Sequence, residues 1–210
     1  METGLPDHRT ISEYLSALRS GAPTPGGGSA AALAGSLGAS LLAMVCRLTL
    51  HRANPDIVAA LEPAAKELDE LVDALSAAAR ADEAVYGQYR AATSLPKSTD
   101  QEKQSRANAL QTALIAAADA PLEAARLALA ALACGESVAR LGSSHALSDV
   151  ETGRLLLDSS IKGALKFVDF NVNLIRDQAL ADVRRRRAAD LRHQTLQASK
   201  VIWSALASRT

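Results

Sequence analysis

Two stripes of apolar residues in this chain are each interrupted by a side chain that can do chemistry. After Pro55, Leu61, Ala64, Leu68, Leu71, Leu75, Ala78, Tyr86 and Tyr89 recur at steps of three or four, and the place left open in the series is Asp82. A carboxylate on an inward stripe loses hydration, which disfavours its charged form and raises its pKa unless a cation or several donors compensate. The stripe admits two roles: a general base working near neutrality, or a structural acid paired with an arginine at a helix contact. Tyr86 lies one turn further along the same face, where ring and carboxylate either meet one ligand or share ordinary core packing. After Ser148, a second stripe runs through Leu157, Ile161, Ala164 and Val168; its next place is Asn171, followed by Ile175. An unpartnered buried amide costs roughly 1–3 kcal/mol, so Asn171 either fixes a helix register or addresses a polar ligand. Asn173 falls on the polar side with Lys162, Lys166 and Asp169 and takes no role.

A third feature is the stretch PTPGGGSAAALAGSLGASLLAMV, from Pro23 to Val45. Its glycines lack the Lys and Ser/Thr that complete a phosphate loop, and no strand precedes them as a dinucleotide fingerprint requires. The helix that follows, 29–50, is apolar nearly all round, which suits a membrane span or a helix enclosed by others. Ser36, Ser40 and Arg47 interrupt it, and the other helices have polar faces, so it reads as a core helix with no membrane role. Ala31, Gly35 and Ala39, and likewise Ala34 and Gly38, place small residues at every fourth position and let neighbouring backbones come close.

The elements that must position these residues are legible from their caps. Ser or Thr followed three residues later by Glu occurs at Thr10–Glu13, Thr99–Glu102 and Ser148–Glu151, and Asn54 precedes Pro55 as a natural N-cap. Pro63 implies a kink or restart, and the Asp119–Pro121 segment implies another. The pattern predicts helices at 11–19, 29–50, 55–92, 100–118, 121–140, 149–176 and 178–206, with no persuasive strand. The expected fold is all-α: a helical bundle with a long central apolar helix, one domain over residues 1–210 with 1–9 flexible. Composition agrees, since the hydrophobic fraction is 48% but aromatics reach only 3%.

The 23 basic residues balance 23 acidic ones, so no field gathers polyanions, and the Arg184–Arg187 run reads as a solvated face or subunit contact, not a nucleic-acid site. Cys46 and Cys134 lack the spacing of a secreted disulfide framework, and the first ten residues show no signal peptide; a cytoplasmic setting with reduced thiols is expected. The four histidines stand far apart, so no metal site is expected.

The glycine stretch, continued as PTPGGGSAAALAGSLGASLLAMVCRLT, resembles the signature of the formiminotransferase-cyclodeaminase C-terminal family, which includes stand-alone methenyltetrahydrofolate cyclohydrolases. LPKSTDQEKQSRANALQTALIAAADAPL, from Leu95 to Leu122, resembles the segment after the long helix in the cyclohydrolase members. Asp82 and Tyr86 fall where that family carries an Asp and an aromatic one turn later. Over roughly residues 10–205 the resemblance implies the family's helical fold, a homodimer and a tetrahydrofolate substrate with no further cofactor. HALSDVETG matches a third family segment less fully: Asp149 is kept, His145 takes the place of an Asn, and Glu151 and Gly153 depart from the usual residues. Asn171 matches the second asparagine of a paired motif whose first place is Phe167.

The resemblance implies that Asp82 is the base that activates water, with Asp149 balancing the substrate cation or sharing the proton transfers. Gly26, Gly27 and Gly28 then bind the ligand through uncovered backbone N–H groups at a helix N-terminus, with Pro25 beside them in the binding loop and the Ser29 hydroxyl serving the cap or the ligand. Tyr86 and Asn171 orient it, His145 lies beside it, and Lys97 meets the glutamate tail. The expected reaction is hydration of 5,10-methenyltetrahydrofolate to 10-formyltetrahydrofolate. Cyclodeamination of formimino-tetrahydrofolate is the alternative, and the altered His145, Glu151 and Phe167 positions keep a non-catalytic folate-binding dimer in view.

Overall fold

The computed structural model describes residues 9–51 and 53–209, and among them every regular element is helical. The order is α1 (Ile11–Leu18), α2 (Gly27–Leu50), α3 (Pro55–Thr93), α4 (Asp100–Leu141), a single 3₁₀ turn (Ser144–Ala146), α5 (Leu147–Val172) and α6 (Gln178–Ala207). The capping boxes expected at Thr10 and Thr99 both form, and the Asn54 side chain accepts from the Ile57 N–H with Pro55 opening α3.

α2 is the central helix, packed against α3, α4 and α5, while α6 lies across α4 and α5. It is long and apolar enough to cross a bilayer, yet here Leu42, Val45 and Cys46 lie buried in one core with Leu68 and Leu75 of α3, Leu132 of α4 and Leu157 and Ile161 of α5. The small-residue spacing brings α2 and α5 backbone to backbone: a Cβ on Gly38 would stand 2.8 Å from the Gly153 carbonyl oxygen, and one on Gly153 would stand 3.0 Å from that of Gly38. The polar interruptions of α2 are answered by α3, Ser36 through the Ser76 hydroxyl and the Val72 carbonyl, and Arg47 through an ion pair with Asp69.

Three expectations change. Pro121 does not divide its helix, so the expected 100–118 and 121–140 are one helix, α4, of 42 residues, while α3 runs through Pro63 for 39 residues, close to the expected 55–92. Pro63 sits on an exposed turn, where water can serve the carbonyl it leaves unpaired. At Pro121 the freed carbonyl, that of Ala117, accepts a hydrogen bond of 2.7 Å from Asn171 Nδ2. Ser148 caps nothing, because the 3₁₀ turn feeds α5 directly at Leu147 and Glu151 turns instead to the guanidinium of Arg154. α5 stops at Val172, not 176, since the chain is then held by Gln111, which accepts from the Arg176 N–H and donates to the Leu174 carbonyl. Of the terminal segment expected to be flexible, residues 1–8 lie outside the described residues. Arg9, the last residue of that segment, sets its guanidinium 2.8 and 3.0 Å from the Glu83 carboxylate oxygens and 5.7 Å from the Tyr14 ring centre.

Candidate active site

The N-terminus of α2 is built without side chains. Gly26 is its N-cap residue and offers no side-chain cap, and Gly27 and Gly28 form its first positions, so their N–H groups have no partner within the helix. The bareness has a steric cause on each side. A Cβ on Gly28 would stand 2.3 Å from Asp82 Oδ1, and one on Gly27 would stand 2.7 Å from Cζ of Phe167. The carboxylate of α3 and the ring of α5 therefore pack straight onto the backbone of the glycine turn.

Asp82 continues the buried stripe of Leu68, Leu71, Leu75 and Ala79, and its carboxylate lies near the Ser29 backbone N–H, which favours its charged form. Burial pushes its pKa above the ordinary value, the neighbouring charge of Glu83 adds to the rise, and the Ser29 N–H offsets part of it. The nearby Arg9 pairs with Glu83, which also accepts from the Ser29 hydroxyl at 3.3 Å. Tyr14 donates to that hydroxyl at 3.1 Å, and burial raises the phenol's own pKa. This chain of contacts fixes α1 beside the glycine turn and fills the space behind Asp82 without neutralising it.

In front of Asp82 opens a cleft of about 410 Å³. The glycine turn with Pro23 and Thr24 forms one wall; Val85, Tyr86 and Tyr89 of α3 and Leu114 and Ala117 of α4 continue it; Phe167, Phe170, Asn171 and Leu174 close the far side. Tyr86 and Tyr89 stand with ring centres 6.4 Å apart, and Phe170 is 68% exposed at the mouth. A mostly apolar cleft with aromatic walls, one carboxylate and a row of backbone donors suits a flat, polar-edged ring system.

Of the residues singled out in the sequence, Asp82, Tyr86, Gly26, Gly27, Gly28 and Asn171 meet in this cleft. The others do not. Pro25 is buried under the turn and outside the cavity lining, because the chain folds back there before entering α2. The Ser29 hydroxyl serves neither cap nor cleft, since the helix starts two residues before it and turns it toward Tyr14 and Glu83. Lys97 lies between α3 and α4, in a separate groove with Lys103, Arg106 and Arg176. Asp149 and His145 are at the opposite end of α5 from Asn171; that helix has 26 residues, about 39 Å of length, so neither reaches the cleft of its own subunit.

The sequence reading missed the aromatic wall and the Arg9–Glu83–Ser29–Tyr14 network. Composition carried a signal for the wall: of two phenylalanines and three tyrosines in the whole chain, both phenylalanines and two of the tyrosines line this one cavity. The network carried none, because its members are distant in sequence and individually ordinary.

The description "Formiminotransferase-cyclodeaminase" belongs to the family model that matches residues 10–190. The chain belongs to the formiminotransferase-cyclodeaminase family. Among its relatives, the methenyltetrahydrofolate cyclohydrolase of Methylorubrum extorquens is 35% identical over 182 residues, covering 84% of this chain and 86% of that protein. The formimidoyltransferase-cyclodeaminase of Sus scrofa is 30% identical over 204 residues, which are 93% of this chain but 36% of that longer protein. The solved formiminotetrahydrofolate cyclodeaminase of Thermotoga maritima superposes with a TM-score of 0.86 over 96% of this chain and 97% of its own, at 21% identity, so the family's helical fold is shared.

Proposed function

We propose that this family member is a methenyltetrahydrofolate cyclohydrolase, adding water to 5,10-methenyltetrahydrofolate to give 10-formyltetrahydrofolate. The observation that carries the mechanism is the Asp82 carboxylate, seated on the bare Gly28 backbone at the inner wall of an aromatic cleft. Similarity along most of its length to a protein named for this reaction supports the assignment.

The methenyl carbon is already a cationic, amidinium-like electrophile, so its hydration calls for a positioned water and a base, not for a redox centre. Asp82 takes a proton as the water oxygen bonds to the methenyl carbon, leaving a neutral hydroxylated bridge. The bond from that carbon to N5 then breaks, Asp82 returns its proton to N5, and the hydroxyl proton leaves as the formyl C=O forms on N10. The sum is substrate cation plus water giving product plus one proton. Burial keeps the carboxylate basic enough for this work, and the cationic substrate favours its charged form once bound. Tyr86 and the phenylalanines flank the ring system, and the Gly27 and Gly28 N–H groups are available to its oxygens.

In this reading the glutamate tail leaves the cleft toward Lys97, the enzyme is a cytoplasmic homodimer, and nucleic acid and membrane take no part. The test is purified protein incubated with 5,10-methenyltetrahydrofolate and, separately, with formimino-tetrahydrofolate. Enzyme-dependent loss of the methenyl chromophore without ammonia release is the expected result; ammonia from the second substrate alone would reassign the protein to cyclodeamination, and conversion of neither would leave a folate-binding dimer.

A further inference from the structure

Asn171 does two things at once in this fold, and a proline on another helix decides how. Pro121 lies within α4 and has no N–H to give to the carbonyl four residues back, that of Ala117. A carbonyl oxygen only accepts, so the Asn171 amide must present its nitrogen to it, which it does at 2.7 Å. The amide oxygen is thereby turned away from α4. Asn171 and Ala117 both line the cleft, and among the described hydrogen bonds none uses Asn171 Oδ1. In a regular helix the backbone would satisfy Ala117 and the amide could rotate by half a turn, offering either a donor or an acceptor to whatever bound.

We propose that Pro121 is a positioning residue of the cleft: by withholding a backbone N–H from Ala117, it locks the Asn171 amide with Oδ1 facing the ligand as a fixed acceptor for a ring N–H or amino group. The inference rests on the folate reading for its ligand, since the edge of a pterin ring carries both kinds of donor. It assigns Asn171 a sense of recognition, acceptor and not donor, which its presence in the cleft alone leaves undecided. It also gives a reason for a proline in the middle of a 42-residue helix.

The experiment is a double-mutant cycle of Asn171→Ala and Pro121→Ala, read by thermal melting and by calorimetric binding of tetrahydrofolate. Pro121→Ala supplies the missing N–H, so its melting temperature is expected to equal or exceed the wild type's while affinity falls several-fold, because the amide is no longer held. Asn171→Ala strands the Ala117 carbonyl and should lower the melting temperature by about 2–4 °C and affinity about tenfold. In the double variant the melting temperature returns to that of Pro121→Ala, but the affinity loss persists. Wild-type affinity in Pro121→Ala, recovered affinity in the double variant, or an equal melting penalty for Asn171→Ala in both backgrounds would overturn the proposal. Binding is measured without turnover, so a wild type that binds tetrahydrofolate but fails to hydrate the methenyl compound refutes the assigned reaction and leaves this cycle intact. A wild type that binds no tetrahydrofolate refutes both.

Discussion

At the scale of single residues, the proposed reaction turns on one carboxylate whose charge the fold makes costly. Asp82→Asn keeps the shape of the side chain but removes the base, so turnover should fall by about 10²–10⁴-fold with little change in tetrahydrofolate affinity. The same variant has a stability signature. A folded-state pKa above the unfolded value means that the native protein holds this proton more tightly; the group's favourable contribution is present below the unfolded pKa and is lost as pH rises through the raised folded value. Asp82→Asn should therefore melt at the same temperature as wild type or higher at pH 7, with the difference fading below about pH 4. Melting curves across that range check the sign. In the wild type, kcat/KM should fall on acidification through a pKa above the usual aspartate range, and the limb in kcat should sit lower because the bound cation favours ionisation.

At the scale of elements, the two glycines of the α2 turn make opposite predictions. Gly28→Ala drives a methyl against the Asp82 carboxylate, so either the helix or the base must move. Turnover should be lost and stability reduced by about 1–3 kcal/mol, measured by denaturant unfolding and steady-state kinetics. Gly27→Ala meets only the Phe167 ring, 38% exposed and free to swing outward, so stability should hold while KM rises. Element boundaries were legible wherever a local signal governs them: Thr10, Asn54 and Thr99 cap as their sequences say, and the Asp82 gap in the α3 stripe marks the cleft. They were illegible where a distant residue intervenes. The Pro121 break is repaired by Asn171 and the end of α5 is set by Gln111; the Ser148 cap fails for a local reason, a 3₁₀ turn that starts α5 already at Leu147 and a Glu151 turned to Arg154. Asp149 and His145 stand on a motif resemblance, which carries no distance, and the length of α5 separates them from Asp82.

At the scale of the whole molecule, one core built around α2 holds the cleft-forming ends of α2, α3 and α5 together with the middle of α4, so damage far from the cleft should act through stability and not through chemistry. The thiols report that core. Burial pushes Cys46 to about 11 and Cys134 to about 12; Cys46 is enclosed in the core while Cys134 is half-buried at its edge, so a disulfide reagent should label Cys46 only as the protein unfolds and Cys134 before it. Immediate labelling of Cys46 in native buffer would show a looser packing than described. The most direct measurement of the central claim compares wild type with Asp82→Asn on 5,10-methenyltetrahydrofolate, following the methenyl absorbance under identical buffer and pH. Rapid decay with the wild type and a rate near the enzyme-free background with the variant, both proteins folded and binding tetrahydrofolate, is the predicted result; equal rates for the two would contradict it.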